Sequence, residues 1–135
     1  MERLILDTGV LIDAARGRVV IPNTADTAIA AVVIAEYLAG VHRSVANRQA
    51  AQRAFLAEVL AAVPVVDYDR NVAEHHAELL AYTHAQGQRR GPHDLMIAAT
   101  ARASGRTILT TDTPARFDDL PEVNARIAVR TPNTK

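Results

Sequence analysis

Leu4-Ile5-Leu6-Asp7-Thr8 is the stretch on which the reading of this chain turns. Three apolar residues stopping at an acid fit a short strand buried on both faces, because such strands show a continuous apolar run. Gly9 to Ala15 then reads as a short helix closed by Gly17. The alternation continues downstream. Ala28 to Val32 reads as a second buried strand, passing into a helix over Val33 to Gly40. Asn47 to Ala62 places Phe55, Leu56, Val59 and Leu60 on one helical face. Val63 to Tyr68 is a third strand, and Asp69 suits the cap of a helix that turns Val72, Leu79 and Leu80 inward and ends at Gly87. Pro92 opens a helix over His93 to Ser104, which Gly105 closes. Thr107 to Thr111 is a fourth strand, with Ile127 to Val129 a candidate fifth. Strands and helices in alternation, with wholly apolar strands, predict an α/β protein: a three-layer α/β/α sandwich around a central parallel sheet. No linker or repeat divides the 135 residues, which are read as a single domain.

Composition removes several chemistries. The chain has no cysteine, which excludes disulfides, thiolate zinc sites and cysteine nucleophiles. Its only lysine is Lys135, so a P-loop, a Schiff base and an internal lysine general base are all excluded. Formal net charge is zero, so any contact with nucleic acid must come from local arginines. The start of the chain is too interrupted by charge for a signal-peptide core, and the longest apolar run, Ala28 to Ala35, is far short of a membrane span. A cytoplasmic protein without a membrane segment is expected.

In parallel α/β sheets ligands bind beyond the carboxyl ends of the strands. Asp7 ends the first strand, Glu36 lies one helical turn after the second, Asp94 is in the first turn after Pro92, and Asp112 follows the fourth strand. Each has an ordinary explanation. Asp7 and Asp112 suit turns, and Asp94 suits the helix dipole. Glu36, amid Val33, Ile34, Tyr37 and Leu38, is harder to dismiss, since an acid in an apolar segment needs a partner. Together the acids would repel unless a cation neutralised them, and oxygen-only donors suit Mg²⁺ or Mn²⁺.

These residues carry a resemblance. Leu6-Asp7-Thr8 followed by Val10-Leu11-Ile12, Ala35-Glu36-Tyr37-Leu38-Ala39-Gly40, Asp94-Leu95-Met96-Ile97-Ala98-Ala99-Thr100-Ala101, and Leu109-Thr110-Thr111-Asp112 followed by Phe117 occur in order along nearly the whole chain. In this it resembles the PIN-domain ribonucleases, specifically the toxins of VapBC-type toxin–antitoxin pairs. The resemblance implies a metal-dependent endoribonuclease with Mg²⁺ or Mn²⁺ at Asp7, Asp94, Asp112 and Glu36, the last directly or through water. It places Thr8 and Thr110 beside the acids as hydroxyl residues. It also implies an antitoxin partner, an RNA substrate and a homodimer. Family members usually carry Ser or Thr ahead of the glutamate, where this chain has Ala30 and Val33. Hydrolysis by an activated water would leave a 3′-hydroxyl and a 5′-phosphate.

The loop Gln88-Arg89-Arg90-Gly91 leads into the Asp94 helix, and Arg89 and Arg90 are candidates to hold an RNA backbone, or else form a solvated basic loop. His93 is a candidate phosphate contact or a helix-start residue, and Arg16 and Arg18 have a weaker claim. Asp118 is a distant candidate for the rim of the site. Adjacent His75 and His76 diverge on a helix and lack further ligands at zinc spacing, which favours a surface face. Two phosphotransfer rivals, a haloacid-dehalogenase-type phosphatase and a response-regulator receiver, fail for want of an internal lysine. The rival from another class is a PIN-like binding module without turnover.

Overall fold

The computed structural model describes residues 1–132, so Lys135 lies outside the described residues. Its strands are β1 (Arg3–Leu6), β2 (Val19–Val20), β3 (Asp26–Ala30), β4 (Val65–Val66), β5 (Thr107–Thr110), β6 (Ala125–Ile127) and β7 (Val129–Arg130). Its α-helices are α1 (Thr8–Ala15), α2 (Ala31–Arg43), α3 (Ala46–Ala62), α4 (Arg70–Gln86) and α5 (Pro92–Ser104). Two single 3₁₀ turns, Thr113–Ala115 and Phe117–Asp119, follow β5.

The main sheet has five strands in the order β4-β3-β1-β5-β6, and every neighbouring pair is parallel. Leu6 lies opposite Ile29 on one side and Leu109 on the other, so β1 is the central strand. Alternate side chains leave opposite faces. Ile5 and Ile108 join a core built with residues of all five helices, whereas Leu4, Leu6 and Leu109 join a second core with Val10, Ala14, Val19 and Ala128. Helix α1 serves both, through Leu11 and Val10. Helices thus flank the parallel sheet, as the run of apolar strands requires.

The punctuation read from sequence acts as expected at several ends. Asp69 caps α4 by accepting from the Val72 N–H at 2.9 Å. Gly87 and Gly105 close α4 and α5 at φ +63° and +64°, in the region that favours glycine. Other boundaries differ. Ala31 and Val32 begin α2 rather than ending the second strand, and α2 runs on to Arg43. Only Val65 and Val66 of the expected third strand pair with β3, because Val63 still bonds back to the Val59 carbonyl and closes α3. The expected strand over Ile127 to Val129 is split. Ala128 N–H still reaches the Thr110 carbonyl at 2.9 Å, after which the chain leaves the sheet and pairs antiparallel with β2. Leu80 is 48% exposed and Leu60 37% exposed, so neither lies in the core as expected. Among the described residues no helix is long and apolar enough to cross a membrane.

Candidate functional site

Strand order places a crevice at one point. From β1 the chain builds outward to β3 and β4, then returns to β5 and β6 on the other side. Such a reversal of direction opens a cleft beyond the carboxyl end of the central strand. Asp7 is the residue at that end, and its backbone N–H continues the ladder to the Leu109 carbonyl at 3.0 Å.

Asp7 is 4% exposed and also caps α1. One carboxylate oxygen accepts from the Thr8 N–H at 2.7 Å, the other from the Thr110 hydroxyl at 2.8 Å. The Thr110 hydroxyl in turn accepts from the Asp112 N–H at 2.9 Å. On the opposite side the Thr8 hydroxyl donates to Glu36 Oε1 at 2.6 Å, and His93 Nδ1 lies 3.0 Å from Glu36 Oε2. A continuous string of hydrogen bonds therefore runs from His93 through Glu36, Thr8, Asp7 and Thr110 to Asp112. The two threonines are its joints. Gly9 and Gly91 allow the close approach: a Cβ at Gly9 would stand 3.0 Å from Thr111 Oγ1, and one at Gly91 3.1 Å from an Asp94 carboxylate oxygen.

Asp94 enters from the first turn of α5. Burial raises its pKa above the usual carboxylate range, and the charges of Asp112 and Glu36 raise it further, against opposition from His93 and Arg90. Burial pushes Asp7 up to about 6, with Asp94 and Asp112 adding to the rise and the bonds from Thr110 and Thr8 restraining it. The acids thus share one electrostatic neighbourhood, and their mutual repulsion is what a divalent cation would relieve.

The donors are all hard oxygens, which suits Mg²⁺ or Mn²⁺. Among the described residues, however, no three acidic or imidazole groups stand arranged to hold an ion. The oxygens are turned to internal partners: Thr8 and Thr110 at Asp7, Thr8 and His93 at Glu36, and the Ala115 N–H at Asp112. Each carboxylate oxygen keeps a further lone pair, so these bonds leave ligation open. The residues fit a hard cation in the chemistry of their donors.

The remaining sequence candidates separate. Arg89 is exposed on the loop before α5. Arg90 is turned into the protein, donating to the carbonyls of Ala115 and Arg116. Arg116 and Asp118 join Asp112 around a cavity of about 260 Å³ that also includes Thr110 and Ile127. Arg18 gives its carbonyl to the Thr131 N–H, tying the β2–β7 ribbon. His76 lies 2.8 Å from the Tyr68 hydroxyl, and both it and His75 are half-buried, with His75 Nδ1 buried without a partner, rather than on the open surface face expected.

A family model described as PIN domain matches residues 4–122. VapBC2 from Rickettsia felis, solved bound to a DNA fragment from its promoter, contains a chain of similar fold: 21% identity over 92% of this chain and 97% of that one, TM-score 0.80. DNA-bound VapBC from Salmonella typhimurium gives 22% identity, 94% and 98% coverage, and a TM-score of 0.77. VapBC-5 from Mycobacterium tuberculosis, a member of the VapBC family of toxin–antitoxin systems, gives 27% identity, 94% and 97% coverage, and a TM-score of 0.69. None of the curated proteins matches. Because the family model spans most of the sequence, from Leu4 to Glu122, the chain belongs to the PIN domain family.

Proposed function

We propose that the chain is a metal-dependent endoribonuclease, the toxin of a toxin–antitoxin pair, acting as a single domain over residues 1–135. The observation that carries this reading is Asp7, a buried carboxylate at the switch point whose pKa is pushed up to about 6 with Asp94 and Asp112 as charged neighbours. Repelling acids gathered in a cleft cost stability and are characteristic of sites that do chemistry. Asp7, Asp94 and Asp112 are assigned the cation, with Glu36 attached directly or through water. When bound, Mg²⁺ or Mn²⁺ supplies charge neutralisation at the scissile phosphate and acidifies the attacking water.

The chain's own groups do the rest. Thr110 and the Thr8 N–H keep Asp7 from rotating, and the Thr8 hydroxyl and His93 hold Glu36, whose remaining lone pairs orient a water. Exposed Arg89 offers a guanidinium to a phosphate upstream of α5. His93 keeps Nε2 free for the same purpose. Membership of the PIN family and the likeness to VapBC-5 support the toxin reading. The partners that follow are a cognate antitoxin, a second copy of the chain and cytoplasmic RNA.

Asp7→Asn and Asp94→Asn should each lower Mn²⁺-dependent cleavage of RNA by roughly 100-fold or more, as loss of one such electrostatic partner commonly does. Excess EDTA should abolish it, and the products should carry 3′-hydroxyl and 5′-phosphate ends. A 2′,3′-cyclic phosphate would replace the hydrolytic step by attack of the RNA 2′-hydroxyl. The absence of a ready-made ligand cage among the described residues favours one second reading, a PIN-fold module that binds without turnover. Growth arrest that survives the double Asp7→Asn, Asp94→Asn change would decide for that module.

A further inference from the structure

Arg90 is the one basic residue of its loop that the fold draws inward. Its guanidinium Nη1 donates to two successive backbone carbonyls, those of Ala115 and, at 2.8 Å, of Arg116. Both belong to the turn that follows Asp112, and Asp112 itself accepts from the Ala115 N–H at 3.1 Å. Ala115 is therefore gripped at both ends of its backbone, by the acid through N–H and by Arg90 through C=O. Arg116 stands at φ +46°, ψ +52°, a left-handed conformation that is unfavourable for a non-glycine residue and has to be held in place.

Two further observations separate this arrangement from a solvated arginine waiting for phosphate. Arg90 Nε is buried without a hydrogen-bond partner, which a free surface arginine would never accept. On its other flank Arg90 lies two residues before Pro92 at the start of α5, whose first turn carries Asp94. One side chain thus connects the approach to α5 with the turn behind Asp112.

We infer that Arg90 is a positioning residue, fixing the Asp112 turn against the start of α5 and so setting Asp112 relative to Asp94. Its bearing on cation binding rests on the function proposed above. Charge and anchoring make opposite demands. As a bare charge beside the acids, Arg90 repels a cation, and its removal should tighten binding. As an anchor, its removal should loosen Asp112 and weaken binding. Lysine separates the two, since it keeps the charge but ends one bond short of the Nη1 position.

The test compares the full chain with Arg90→Lys and Arg90→Gln. Three quantities are read: amide hydrogen exchange at Ala115 and Arg116, Mn²⁺ affinity by electron paramagnetic resonance of the free ion, and RNA retention in EDTA. Expected are faster exchange at both amides and a roughly tenfold weaker Mn²⁺ affinity in both variants, the size typical of lost support behind a ligand. RNA retention should be kept by Arg90→Lys. Unchanged exchange in both variants overturns the assignment, and so does tighter Mn²⁺ binding in Arg90→Gln with none of the loss in Arg90→Lys. Lost RNA retention with unchanged exchange makes Arg90 a direct backbone contact instead. Faster exchange in a chain that takes up no Mn²⁺ upholds the anchor and removes the metal reading alone.

Discussion

A carboxylate sealed at the end of a central strand leaves a mark on stability. Asp7 titrates at about 6 in the fold, against 3.8 for the unperturbed group. The folded chain therefore binds this proton more tightly than the unfolded chain does. The resulting stability is fully present below about pH 4 and is lost as pH rises through 6. A difference of that size corresponds to roughly 3 kcal/mol at neutral pH. Asp7→Asn, which keeps an acceptor for Thr8 or Thr110 and carries no charge, should stabilise the cation-free chain by roughly 2–3 kcal/mol at pH 7.5 and by little at pH 4. Urea unfolding at the two pH values checks this; an equal effect at both would mean Asp7 is not held protonated by the fold. Sequence made Glu36 and Asp7 visible, one as an acid among apolar residues and the other as an acid at a strand end. It also drew Arg90 toward RNA, and there the structure differs. Nothing local to Gln88-Arg89-Arg90-Gly91 announces carbonyl partners 25 and 26 residues further on.

Among the elements, α5 is the most constrained. Leu95, Ile97, Ala98, Ala99, Thr100 and Ala101 are all buried, so this helix is enclosed on nearly every side. This packing seats the helix, and the His93–Glu36 contact adds a polar tie at its Asp94 end. Ile97→Ala should destabilise the chain by about 2–5 kcal/mol, the cost of deleting a buried aliphatic side chain. Thermal or urea unfolding measures it, and a loss below 1 kcal/mol would show that α5 can repack freely. This helix was legible from Pro92, Gly105 and its apolar run. Shorter or weakly anchored elements were not. The strands β2 and β7 are two residues each, below the length at which apolar period is readable. In the mostly exposed α3, Leu56 is buried and Phe55 and Val59 pack partly against the core, so of the expected four-residue stripe only Leu60 faces out. Helix α4 turns Leu79 in and Leu80 out, a choice between adjacent residues that composition does not make.

At the scale of the molecule, binding and folding are coupled through the acidic edge. A cation taken up only by the folded chain stabilises it by about 2.7 kcal/mol at a hundredfold excess over Kd. Mn²⁺ should accordingly raise Tm at pH 7.5, and the rise should shrink at pH 5, where Asp7 is protonated and competes with the ion. Scanning fluorimetry at the two pH values reads this directly. An identical rise at both would place the ion away from Asp7. The layer order and the sheet edge that gathers the acids followed from alternation of apolar strands with helices. The hydrogen-bonded string through Thr8 and Thr110 did not, since it depends on register between strands about a hundred residues apart. That register has a temporal consequence. The central strand β1 precedes the other strands in the chain, yet one of its two flanking strands is Thr107–Thr110. A nascent chain carrying Asp7 and Glu36 has no Thr110 to hold Asp7 and no Asp112 to face Asp94 until residues 107–112 have left the ribosome. The acidic edge therefore stays incomplete through most of the chain's synthesis, and of the strands only β6 and β7 are made after it.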